Sequence, residues 1–119
     1  MDASLTTNAW IGRIVEVVVD RALGTLHPRH PDIRYELNYG FVPGTLAPDG
    51  EPLDAYLVGL DCPVERASGT VVAIIRRRDD IEDKLVVAVG DVAVWYSVAI
   101  EAAVHFQERY FDSYIEMAL

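Results

Sequence analysis

The feature that most limits how this chain can fold is its succession of short, β-branched, apolar runs cut apart by turn residues. Ile14 to Asp20 sets Glu16, Val18 and Asp20 against Val15, Val17 and Val19, the two-residue period of a strand. Ile33 to Tyr39 repeats the pattern with Tyr35, Leu37 and Tyr39 in phase, and Asp54 to Leu60 does so with Asp54, Tyr56 and Val58. Thr70 to Arg78 and Lys84 to Val89 follow, and Ile115, Met117 and Leu119 alternate as a final short strand. Gly24, Pro28 and Pro31 make Ala22 to Pro31 largely loop, Gly40, Pro43 and Gly44 break the next strand, and Pro48-Asp49-Gly50 is a strong turn signal. One helical period runs late, through Ala99, Ala102, Ala103, Phe106 and Tyr110, with Glu101, His105, Glu108 and Asp112 opposite and Ser97 as N-cap. The expectation is a mainly β (α+β) protein, a closed barrel with one C-terminal α-helix packed against it, forming a single domain over residues 1–119.

Charge narrows the functional classes. Nineteen Asp and Glu against ten Lys and Arg give a net charge of -9, which repels phosphate backbones and disfavours nucleic-acid binding. An OB-type nucleic-acid binder would also need exposed aromatic residues interleaved with basic ones, and that pattern is missing. Carboxylates are instead what hard divalent cations require. Cys62 is the one cysteine, so the chain has neither an internal disulfide nor a thiolate zinc cage, and a reducing compartment is favoured. Beside Pro63, Cys62 reads as a small packing residue. Met1-Asp2-Ala3-Ser4 lacks the start of a secretory signal, and Val71 to Ile75 stops at Arg76-Arg77-Arg78, far short of a bilayer span. A soluble, cytoplasmic protein is expected.

Two acidic turns lie beside apolar strands: Asp49-Gly50-Glu51-Pro52-Leu53-Asp54 and Asp79-Asp80-Ile81-Glu82-Asp83-Lys84. Gly50 and Pro52 bend the first, so that its carboxylates converge. Like charges held together cost stability unless a cation neutralises them, and Mg2+ accepts a few carboxylates while keeping several waters. Simple solvation of both turns is the alternative. Arg76 and Arg78 share a strand face beside the second turn, as phosphate contacts or as partners of nearby acids. His27 and His30 flank Pro28-Arg29 in a loop, where substrate contact is open. Trp10, Trp95 and Tyr96 read as packing or subunit-contact residues.

Asn38-Tyr39-Gly40-Phe41-Val42-Pro43-Gly44-Thr45, followed by Asp49-Gly50-Glu51-Pro52-Leu53-Asp54, resembles the signature of the soluble (family I) inorganic pyrophosphatases. Val17 to Asp20, Glu82 to Val86 and His105 to Tyr110 resemble further segments of that family. The resemblance implies an OB-like barrel, hydrolysis of pyrophosphate to two phosphates, a requirement for Mg2+, and homo-oligomers. It implies metal ligation by Asp49, Asp54, Asp79 and Glu82, with Asp20 behind them and Glu51 helping to activate water. Catalytic weight falls on Glu51, Asp54, Lys84 and Tyr39, and substrate contact on Tyr35, Tyr39, Lys84, Tyr110 and Arg29. The chain departs from the pattern at several points. Glu51 and Glu82 stand where aspartate is usual, Glu36 replaces a proline, and Phe111 replaces a phosphate-binding lysine. The turn after Asp79 is short enough for Asp80 to take its part. For the family's early arginine, Arg29 is the first candidate and Arg34 the second. Hydrolysis of another phosphoanhydride, or weakly catalytic binding of Mg2+ and phosphate, are the alternatives.

Overall fold

The computed structural model describes residues 7–79 and 82–117. Its strands are β1 (Ile14–Arg21), β2 (Asn38–Phe41), β3 (Asp54–Val58), β4 (Arg66–Arg77), β5 (Lys84–Ala88) and β6 (Ser113–Met117), with one helix, α1 (Ser97–Glu108), before β6. The order is β1-β2-β3-β5-β4-β6, and a further β1–β4 pairing closes the first five strands into a barrel. Closure depends on the length of β4. Its Arg66–Thr70 half pairs with β1, its centre with β5, and its Ala73–Arg77 end with β6, which lies outside the ring. Pairing is antiparallel except between β3 and β5.

Alternation divides the core into two layers. In β1, Val15 and Val17 are buried while Ile14 and Glu16 are exposed, so the valines mark the barrel interior. They share that interior with Leu57, Val71, Ile74, Leu85 and Val87. The opposite phase of the same strands, including Tyr56, Val58, Ile75, Val86 and Ala88, packs under Ile100, Val104 and Phe106 of α1. Both faces of β3 and β5 are therefore covered, which is why these strands read as unbroken apolar runs.

The expected architecture holds, with local differences. Ile33, Tyr35 and Leu37 keep their alternating burial, but β2 starts only at Asn38. The preceding segment spends its backbone on the 22–27 loop, through Gly24 N–H to Tyr35 O and Tyr35 N–H to Thr25 O. The buried Asn38 amide fixes neighbouring loops, accepting from Leu23 and Val64 N–H and donating to Cys62 O. Cys62 itself is exposed, not packed. β4 begins at Arg66, because pairing with β1 draws polar Arg66-Ala67-Ser68-Gly69 into the ladder. Ser97 is the first helical residue and not the cap; Tyr96 is the N-cap and makes no side-chain capping bond. The buried side of α1 carries Ile100, Val104, Phe106, Gln107 and Glu108. Glu108 turns inward because a buried arginine binds it, as described below. Leu119 and Asp80 lie outside the described residues.

Gly40 is a steric requirement. A Cβ there would overlap the backbone carbonyl of Val18 on the neighbouring strand. Gly40→Ala should therefore force β1 and β2 apart and cost at least about 3 kcal/mol, read as a fall in the urea midpoint. An unchanged midpoint would refute this account of the β1–β2 contact.

Candidate active site

Where the outer phase of the barrel runs past the end of α1, apolar side chains give way to charged ones. Tyr56 and Val58 share their phase with Asp54, Val86 and Ala88 with Lys84, and Ala73 and Ile75 with Arg77. The register that buries the apolar set thus delivers Asp54, Lys84 and Arg77 to one cleft of about 740 Å³. Asp20 and Arg21 reach the same cleft, although neighbours on a regular strand point to opposite faces. The pairing shifts between Val19 and Arg21, and this β-bulge re-aims the end of β1.

Lys84 organises one side. Its Cα pairs with that of Asp54 across the parallel β3–β5 ladder, and the residue is 3% exposed. The ammonium donates to Asp54 Oδ2 at 2.6 Å and to Glu82 Oε2 at 3.0 Å. It also lies 6.0 Å from the centre of the Tyr39 ring. Burial, and then the negative charge of Asp54, hold the Tyr39 hydroxyl well above the ordinary tyrosine range, so it stays a proton donor. Asp49 stands beside Glu82 on an exposed turn. Its carboxyl is held below its usual range first by the Glu51 N–H, 3.0 Å away, and also by a contact with Glu82. Asp20 is held above its usual range by burial and by the nearby charge of Asp54.

Arg21 and Arg77 share the cleft with these groups. Arg21 lies 5.8 Å from the centres of both the Tyr35 and Tyr39 rings and donates to the Tyr35 hydroxyl at 2.7 Å. That contact begins a chain of hydrogen bonds beneath the cleft. The Tyr35 hydroxyl donates to Gln107 Oε1 at 2.7 Å, Gln107 Nε2 to the Tyr56 hydroxyl at 2.7 Å, and the Tyr56 hydroxyl to Glu108 Oε2 at 2.6 Å. Arg77 closes the chain with two bonds to Glu108, at 3.1 and 2.7 Å, and stacks 3.6 Å from the centre of the Phe111 ring. Each hydroxyl accepts one bond and donates one, so the buried polar groups are satisfied.

Of the residues expected at a site, Tyr39, Asp54, Glu82, Lys84, Arg29 and Tyr110 line this cleft. Asp49 meets Glu82, and Tyr35 lies under the floor. Asp49, Glu51 and Asp79 are exposed and do not line the cleft. Asp79 instead accepts the Asp112 N–H at 3.3 Å. Arg34 donates to Gly24 O at 2.8 Å and braces the loop. Arg76 pairs with Asp83 and Glu116, and Arg78 with Asp112, leaving Arg77 to face the cleft. Arg21 and Arg77 also line the cleft, Arg77 from a run whose Arg76 and Arg78 were expected to share the relevant strand face. Arg77 was legible from its shared phase with Ile75; Arg21 was not, because nothing in Val19-Asp20-Arg21 announces a bulge.

Among the described residues, no three His, Cys, Asp or Glu side chains form a ready metal cage. The donors still fit a hard cation that brings its own waters. Asp54 and Glu82 offer oxygen ligands, both within 3.0 Å of one ammonium. Mg2+ is commonly held by one or two carboxylates together with substrate phosphates.

A model of the inorganic pyrophosphatase family matches residues 14–114. The chain is 34% identical over 96 residues to an inorganic pyrophosphatase of Pseudomonas aeruginosa, covering 66% of this chain and 53% of that protein. It is 32% identical over 114 residues to one from Xylella fastidiosa, covering 81% and 59%. The chain thus spans little more than half the length of these curated relatives. Among solved structures, an inorganic pyrophosphatase from Ehrlichia chaffeensis superposes with a TM-score of 0.68 at 16% identity, over 90% of this chain and 87% of that one. One from Thermus thermophilus gives 0.56 at 20% identity, over 89% and 80%. At such identities these structures speak for the fold alone.

The scaffold under the cleft can be tested without substrate. Glu108→Gln removes the carboxylate that accepts two bonds from the buried Arg77 guanidinium and should cost about 3–5 kcal/mol in urea unfolding. Adding Arg77→Met should recover part of that loss. A loss below 1 kcal/mol would mean that the pair is solvated.

Proposed function

This chain belongs to the inorganic pyrophosphatase family, and from that premise we propose that it hydrolyses pyrophosphate to two phosphates with the help of Mg2+. The observation that carries this reading is that Lys84, Asp54 and Glu82 share one cleft with the guanidinium of Arg21. No carboxylate among the described residues forms an ion pair with Arg21, so its charge is available to an anionic substrate.

In this reading Asp54 and Glu82 hold Mg2+, with Asp49 beside Glu82 and Asp20 behind Asp54. Bound there, Mg2+ supplies charge relief on phosphate oxygens and acidifies a nearby water. The protein's own groups do the remainder. Arg21 neutralises one phosphate, and Arg29 and Tyr110 face it from the rim. Tyr39, kept protonated by its surroundings, donates to a phosphate oxygen. Lys84 keeps the Asp54 and Glu82 carboxylates in place and adds positive charge where the leaving phosphate gains negative charge.

The cleft volume favours a second reading, in which a larger phosphoanhydride is the substrate. A diphosphate ion is far smaller than the ligands that usually fill clefts of this size. A cytoplasmic location and self-association belong to the proposal as well. No helix among the described residues is long and apolar enough to cross a membrane.

Phosphate release from pyrophosphate should require Mg2+ and stop in EDTA. Asp54→Asn should lower kcat at least about 100-fold in protein shown by circular dichroism to be folded at the assay temperature, with a lower melting temperature because buried Lys84 loses one of its two carboxylates. Equal rates in wild type and variant would defeat the reading. Faster release from a nucleoside triphosphate than from pyrophosphate would select the second reading.

A further inference from the structure

The loop between β1 and β2 adds a histidine to the cleft beside Arg21. His27 and His30 both line the cleft, and His27 is held in one orientation. Its Nδ1 accepts the backbone N–H of Arg29 at 3.1 Å and of His30 at 3.2 Å, and its ring stacks on Tyr35 with an interplanar angle of 11°. A nitrogen that accepts two N–H groups carries no proton, so the neutral imidazole bears its hydrogen on Nε2. That Nε2 lies 3.4 Å from Arg21 Nη1.

Two donors therefore face each other. Neither can satisfy the other, and Arg21 Nη1 already donates to the Tyr35 hydroxyl. What resolves a contact between donors is a shared acceptor, and in a cleft suited to phosphates the fitting acceptor is a phosphoryl oxygen. We propose that His27 is a substrate-binding residue whose Nε2–H, together with Arg21 Nη1, clamps one phosphoryl oxygen of the anionic substrate. The inference rests on the pyrophosphatase reading for its ligand, though the donor pair is a feature of the loop itself. Burial, and next the charge of Arg21, hold the imidazole below its ordinary pKa. His27 thus acts as a neutral donor, adding direction without adding charge.

The test uses His27→Asn. The asparagine carbonyl can accept the Arg29 and His30 N–H groups, as in an ordinary Asx turn, but cannot replace the Nε2–H. Binding of inorganic phosphate, measured by calorimetry in Mg2+ buffer, should weaken about tenfold in this variant. Long-range proton–nitrogen NMR of the wild type should find the His27 proton on Nε2 and should show it shifting as phosphate is added. Phosphate affinity unchanged in His27→Asn would overturn the clamp and leave water alone on the donors. A proton on Nδ1, or no phosphate binding by the wild type, would overturn it too. The two proposals separate cleanly. Weaker phosphate binding in the variant, with no pyrophosphate hydrolysis by the wild type, keeps the clamp and removes the enzyme. Hydrolysis with unaltered phosphate binding does the reverse.

Discussion

A lysine that is 3% exposed must have its charge compensated where it lies, and Lys84 meets that demand with two carboxylates. Because Asp54 and Lys84 open adjacent parallel strands in direct register, the compensation is built into the ladder. Glu82, two residues earlier on the same chain, completes it. The strong interaction between these three groups fixes where the acids sit, and their position makes a cation site chemically sensible. A cation arriving there joins carboxylates already gathered on one ammonium, at a place where the fold has met part of the cost of bringing them together.

The rest of the cleft follows from strand phase. Residues that pack beneath α1 continue, two positions at a time, into residues that carry charge, so core and site are successive parts of one surface. The chain of bonds from Arg21 through Tyr35, Gln107, Tyr56 and Glu108 to Arg77 ties β1, the 22–37 segment, β3, β4 and α1 together. A buried network of this kind is favourable only when every member is satisfied. It therefore couples the two arginines to the packing of the helix.

Much of this was legible in the sequence because strand period and turn chemistry are local. The alternation in Val15-Glu16-Val17 and in Asp54-Ala55-Tyr56, and the apolar run at Leu85, gave strands and faces correctly. The acidic turns pointed to the side of the molecule where Asp49, Asp54 and Glu82 gather. What escaped was set by partners distant in the chain. Arg66-Ala67-Ser68-Gly69 is polar and becomes strand only because β1 pairs with it. Ile33 to Leu37 looks like strand yet bonds a loop. Glu108 reads as a solvent-facing helix residue until Arg77 arrives from 31 positions earlier. Arg21 depends on a bulge, and Asp79 on contacts with Asp112, neither of which a period can reveal.

The central claim is that a divalent cation is held jointly by a few carboxylates and a substrate phosphate. Calorimetric titration of Mg2+ into the protein, with and without methylenediphosphonate, measures this directly. The account predicts weak binding of Mg2+ alone, tightened at least about tenfold by the diphosphonate, with the same enhancement of diphosphonate affinity by Mg2+. Mg2+ affinity indifferent to the diphosphonate, or no binding under either condition, would contradict it.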